Sequence, residues 1–139
     1  MGGPLPNPNR RRRNAPTIPT TSLPAAGRKG APPKPPRSIA LGDAATAWWR
    51  WAWHTPQAAA WSKGDLYVTA RRAQLEDAMA ESAPASILRE ARELDDRLGL
   101  SPKGMAALRW VIIDAEAAEA EAPPDSGTRR LRAVDSTAS

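Results

Sequence analysis

The stretch Trp48-Trp49-Arg50-Trp51-Ala52-Trp53, followed by Trp61, decides how this chain folds. Five of the six tryptophans fall within the fourteen residues 48–61. At about 100° per residue, with Trp48 at zero, Trp51 falls at roughly −60°, Ala52 at ~40°, Trp49 at ~100° and Trp53 at ~140°, an apolar arc of about 200°. A helix packed on one core buries a stripe nearer ~100°. This helix therefore needs partners on two sides, either neighbouring helices or a second subunit. Trp48, Trp49, Trp51, Trp53 and Trp61 are accordingly expected in the core or an oligomer interface, with stacking on unpaired bases beside Arg50 as the alternative.

Upstream of the tryptophans, residues 1–42 hold ten of the fifteen prolines together with Arg10, Arg11, Arg12, Arg13, Arg28, Lys29, Lys34 and Arg37, and no acid. The local charge is +8, whereas residues 43–139 carry twelve bases and fifteen acids, a balance of −3. The segment is expected to be a disordered arm with polyproline II tendency, because it has too few apolar residues to offset the entropy of ordering them. Four consecutive arginines on such an arm point to phosphate contact with DNA or RNA; a solubilising tail is the alternative.

Downstream, the pattern is helical. Asp43 reads as an N-cap for a helix over 44–54, ended by Pro56, and a short turn follows at 57–61. Ser62, with Asp65 three residues on, reads as the cap of a helix reaching Glu81. Ile87, Ala91, Leu94 and Leu98 then recur at helical spacing, opposite a face of arginines and acids. Gly99 and Leu100 have the form of a Schellman stop, and Ser101-Pro102 that of a new N-terminus. Met105, Leu108 and Ile112 give the last helix its stripe, and the Ala/Glu run is expected to prolong it to Ala122, where Pro123-Pro124 stops it. With no strand alternation, the expected class is all-α: a short bundle of about four to five helices over 43–122, between the arm and a flexible tail over 123–139.

Function classes narrow by exclusion. There is no cysteine and one histidine, His54, so disulfides, a zinc centre and Cys/His catalysis are ruled out and a Ser/His/Asp site is disfavoured. Gly27-Arg28-Lys29-Gly30 lacks P-loop spacing. Glu116, Glu119 and Glu121 read as a solvated helical face, not an acid/base pair. No enzyme activity and no cofactor are expected. Without a long apolar run or an apolar leader, the expected setting is soluble and intracellular, away from membranes. A core of about 80 residues is marginal alone, which makes oligomerisation the expected source of added stability. Arg50, Lys63, Arg71 and Arg72 are candidates for a second basic patch on the helical body.

Several motifs together resemble the small terminase subunit of tailed double-stranded DNA bacteriophages. They are Gly27-Arg28-Lys29-Gly30 before Pro32-Pro33-Lys34-Pro35-Pro36, the run Ala47 to Gln57 containing the tryptophans, Trp61 with Asp65, Leu98-Gly99-Leu100-Ser101-Pro102-Lys103, and Leu108-Arg109-Trp110. The resemblance implies a noncatalytic subunit acting in the host cytoplasm. It would form a ring, bind viral DNA at the packaging initiation site and deliver it to the large ATPase/nuclease subunit. Ile87, Leu94, Leu98, Leu108 and Ile112 would join the tryptophans in core or subunit interface. Arg129, Arg130 and Arg132 would be open to a large-subunit contact. A dimeric helical transcriptional regulator is the competing reading, and a structural adaptor with an incidental basic tail is a third.

Overall fold

The computed structural model describes residues 2–3 and 18–114. In chain order these form β1 (Thr21–Pro24), α1 (Asp43–Ala52), a 3-10 turn (Gln57–Ala60), α2 (Asp65–Glu81), α3 (Ala85–Leu98), the seven-residue α4 (Pro102–Leu108) and β2 (Trp110–Ile113). The fold is mostly helical, with one small parallel sheet in which Thr21 lies opposite Trp110 and Pro24 opposite Ile113.

That sheet corrects the all-α expectation at both ends of the body. The last helix stops at Leu108 because Arg109 adopts the left-handed conformation, φ 59° and ψ 42°. The next four residues, Trp110-Val111-Ile112-Ile113, are β-branched or aromatic and favour extended backbone. Leu108 and Ile112, expected on one helical stripe, therefore sit on different elements and are about 40% exposed (40% and 41%). The Ala/Glu run from 115 onward lies outside the described residues.

Residues 18–42, expected within a disordered arm, belong to the fold. The Thr21 N–H donates to the Arg109 carbonyl and the Ala25 N–H to the Ile113 carbonyl, both at 2.9 Å. Leu23 and Ile39 are buried, and the Trp49 indole N–H donates to the Pro33 carbonyl at 2.9 Å. Prolines fix their own φ and so lose little freedom on ordering, which lets an extended Pro-rich strap lie across α1 with few apolar anchors. This strap answers the demand of the wide tryptophan arc. One side of α1 packs on α2, and the chain's own residues 33–41 cover the other.

The core gathers Ile39, Ala45, Trp49, Trp53, Ala58, Ala70 and Ala73, with Leu41, Trp48, Trp61 and Leu66 packed against it. Ala45, Ala70 and Ala73 are fully buried, and small residues here let α1 and α2 approach closely while the indoles fill the space around them. Trp53 stacks edge-on against Trp61 with ring centres 5.0 Å apart. Trp51 alone of this group is mostly exposed, at 57%.

Capping is partly remote. Asp43 is the first residue of α1, not its cap; the Asp77 carboxylate of α2 accepts from the Gly42 N–H at 2.7 Å and the Ala45 N–H at 2.9 Å. One side chain thus both satisfies two orphan donors and ties α2 to the start of α1. Asp77→Ala is expected to lower stability by about 1–2 kcal/mol in urea unfolding, the usual cost of a lost cap. At α2 the expected bond runs in reverse, since Asp65 accepts from the Ser62 N–H at 2.7 Å and from its hydroxyl at 3.1 Å.

The α3 to α4 junction follows the sequence reading. Gly99 has φ 73°, the Leu100 N–H donates to the Asp95 carbonyl and the Gly99 N–H to the Asp96 carbonyl, which is the Schellman pair. The Ser101 hydroxyl oxygen accepts from the Gly104 N–H at 2.9 Å, with Pro102 at the first helical position. On α3, Ala91 and Leu98 are buried, while Ile87 and Leu94 are half-buried.

Candidate nucleic-acid interface

The positive charges of the described residues divide into a free set and an engaged set. The strap leaves Lys29, Lys34 and Arg37 exposed and Arg28 half-buried, because extended backbone and repeated proline keep these side chains off the core. Arg50 projects from the last turn of α1, and Lys63 from the turn before α2. None of the six enters an ion pair among the described residues, where the pairs are Arg72–Glu76, Arg72–Asp95 and Lys103–Asp96.

Two recesses meet at Pro33. One, of about 170 Å³, is lined by Arg28, Pro33, Trp53, Trp61, Ser62, Lys63 and Leu66. The other, of about 370 Å³, has Lys34, Arg50 and His54 among prolines, Leu41, Thr46 and Trp49. Neither wall contains a carboxylate. Arg28 lies over the Trp53 ring, 5.4 Å from its centre, and donates to the Ala31 carbonyl at 3.0 Å, so its guanidinium is oriented by both. Positive side chains separated by up to 35 positions in sequence are thereby brought onto one surface, over walls of indole and proline. Such a surface attracts polyanions.

The strap is held in place at a backbone crossing. Gly27 has φ 88°, the Arg28 N–H donates to the Thr55 carbonyl at 3.2 Å, and a Cβ on Gly27 would lie 1.9 Å from the His54 carbonyl oxygen. The Gly27-Arg28-Lys29-Gly30 motif therefore places its arginine beside Trp53 because its first glycine lets two backbones touch. His54, read from sequence only as a lone histidine, belongs to this surface. Its Nδ1 donates to the Arg50 carbonyl at 2.6 Å, which leaves Nε2 to other partners. The i,i+4 spacing from Arg50 was the available signal.

Arg71 and Arg72 part company. Arg71 is exposed, donates to Gln74 at 3.0 Å and faces a groove between α2 and α3, not the recesses at Pro33. Arg72 is buried, donates to Asp95 at 2.7 Å and to Glu76 at 2.8 Å, and lies 4.8 Å from the centre of the Trp48 ring. Burial lowers the guanidinium pKa, but the hydrogen bonds and charges of Asp95 and Glu76 outweigh it, and the net direction is upward. Each of the three guanidinium nitrogens of Arg72 thus donates a hydrogen bond inside the fold. Arg10, Arg11, Arg12 and Arg13, and likewise Arg129, Arg130 and Arg132, lie outside the described residues.

Among the described residues, no group of three or more His, Asp or Glu side chains could hold a metal ion, and no helix is long and apolar enough to cross a membrane. No curated protein and no solved structure matches the chain. A family model does: that of the phage terminase small subunit aligns with residues 1–135, all but the last four of the 139. By that match over nearly its whole length, and in keeping with its tryptophan, Gly-Arg-Lys-Gly and Leu-Gly-Leu-Ser-Pro motifs, the chain belongs to the phage terminase small subunit family.

Proposed function

We propose that this chain is the noncatalytic DNA-recognition subunit of a phage genome-packaging motor, binding viral DNA at the packaging initiation site and delivering it to the large ATPase/nuclease subunit in the host cytoplasm. The observation that carries the DNA-binding part is the convergence of Arg28, Lys34, Arg50 and Lys63 around Pro33 on walls without a carboxylate. Lys29 and Arg37 extend this surface along the strap, Arg10 to Arg13 add a further cationic reach, and Arg71, which faces the α2–α3 groove, is a separate candidate for DNA contact. Arg72 serves the fold. Contacts of this kind are mostly to phosphates, so they set position and affinity more than base choice.

The assembled form is a homo-oligomeric ring. Trp51, Leu108 and Ile112 are among the large apolar side chains exposed on the single chain, as are Ile18, Tyr67, Leu88 and Val111, and a closed ring covers such faces on every copy. Arg129, Arg130 and Arg132 are assigned to the large-subunit contact. The function is tested by DNA packaging with the large subunit in vitro. Omitting the chain is expected to abolish preference for DNA that carries the initiation site; an unchanged preference contradicts the reading. Native mass spectrometry separates it from the dimeric regulator, since a ring contains many subunits and the regulator two.

A further inference from the structure

We propose that Trp51 is a base-stacking residue: its exposed indole stacks on an unpaired base of DNA held by the basic surface around Pro33. This inference rests on that surface being the DNA site, and it leaves the ring contact to the other exposed apolar side chains. Trp49 and Trp53 are 3% exposed, whereas Trp51 is 57% exposed. The buried residues of α1 are Ala45, Trp49 and Ala52. At about 100° per residue, Trp51 lies roughly 100° or more from each of them, on the side that carries Ala47 and Arg50. Both of those are exposed as well. Asp43 is the one acid of α1, and it stands eight residues before Trp51, roughly 12 Å along the helix axis.

The charge around Trp51 decides what covers it. Arg50 precedes it in sequence and lines one recess with Lys34 and His54, on a wall without a carboxylate. The His54 backbone N–H donates to the Trp51 carbonyl at 3.1 Å and its ring to the Arg50 carbonyl at 2.6 Å, so the three residues form one turn. A subunit seated on Trp51 would have to cover Arg50 as well and supply it with an acid, since a buried unpaired charge is costly. Nucleic acid meets both demands of this face, with phosphates for Arg50 and Lys34 and a flat aromatic base for the indole. The indole also rests on a neighbour that the fold fixes. Its ring centre is 6.0 Å from that of Trp48, which in turn lies 4.8 Å from the buried Arg72 guanidinium. A paired base hides its faces in the duplex stack, so this contact selects DNA in which a base is unpaired.

The test uses the full chain with two fluorescent duplexes of about thirty base pairs, one fully paired and one with about three unpaired positions at its centre, across a salt series. The wild type is expected to favour the interrupted duplex by about five- to a hundredfold, the worth of one stacked base, and Trp51→Ala to bind the two alike. Trp51→Phe, which keeps a flat ring, should recover most of the preference. Stacking releases no counterion, so on each duplex the slope of log affinity against log salt should be the same in all three proteins. Equal affinity of the wild type for the two duplexes, or an undiminished preference in Trp51→Ala, overturns the proposal, while salt-dependent binding in either case keeps the DNA reading. Binding of neither duplex removes both. Native mass spectrometry of Trp51→Ala is expected to show the wild-type oligomer; a smaller one would make Trp51 a subunit contact and overturn the proposal as well.

Discussion

Gly27→Ala is expected to destabilise the fold by about 4 kcal/mol or more, among the largest effects open to a single methyl group. Two causes combine. The residue has φ 88°, where an alanine is strained by about 1–2 kcal/mol. Its Cβ would also stand 1.9 Å from the His54 carbonyl oxygen, a backbone atom that cannot rotate away. Relief requires the strap to lift from α1, which gives up the Arg28 N–H to Thr55 bond, the Trp49 to Pro33 bond and the burial of Ile39. Gly30→Ala is the matched control. Gly30 has φ 95° but nothing within 4 Å of its added Cβ, so only the conformational strain of about 1–2 kcal/mol is expected. Thermal unfolding reads the difference, since 1 kcal/mol moves the midpoint by about 4–8 °C in a domain of this size. Equal shifts for the two variants would contradict the backbone crossing.

The second large effect belongs to Arg72. Removing one partner of a buried ion pair costs about 3–5 kcal/mol when the other is left stranded. Here Asp95 and Glu76 keep 28% and 29% of their side-chain surface in water, so Arg72→Ala is expected at the lower end, about 3 kcal/mol, including the lost packing on Trp48. Arg72→Lys should recover less than half of it, because an ammonium cannot address two carboxylates as a planar fork while stacking on an indole. The salt dependence of DNA binding should not change in Arg72→Lys, since its charge is committed inside the fold. Stability within 1 kcal/mol of the wild type for Arg72→Ala would remove the α2–α3 clasp from this account.

These sites show what the sequence made legible and what it hid. Helix ends that depend on neighbours in sequence were readable: Gly99 and Leu100 stop α3, and Ser101-Pro102 starts α4, because those bonds close within six residues. Ends that depend on distant residues were not. Asp77 caps a helix 32 to 35 positions upstream, and no local pattern distinguishes it from any acid on a solvated helix face. The sheet was hidden for a related reason. Trp110 to Ile113 has strong β preference, but four residues also continue a helical stripe through Met105 and Leu108, and its partner strand lies at 21–24. Pairing across that separation leaves no periodic signal in either segment.

The basic surface lies between these cases. Its charges were identifiable one by one, but the pairing of Arg28 with Trp53 was not. What the sequence did not reveal is that the strap is ordered, since low apolar content usually means disorder. Three anchors, Leu23, Ile39 and the Pro33 carbonyl, overrule it. Packing of α2 against α1 and α3 separates Arg72 from Arg71, adjacent in sequence and alike in type, by turning one into the fold and the other out.

The most direct test of the central claim, that the ordered surface around Pro33 contacts DNA phosphates, is the salt dependence of duplex binding by the variant Arg28→Gln, Lys34→Gln, Arg50→Gln, Lys63→Gln, with its helical content checked by circular dichroism. Each phosphate contact contributes about 0.9 to the slope of log affinity against log salt, so losing four is expected to reduce the slope by about 3 to 4. A folded variant whose slope equals that of the wild type would place the DNA contacts elsewhere on the chain.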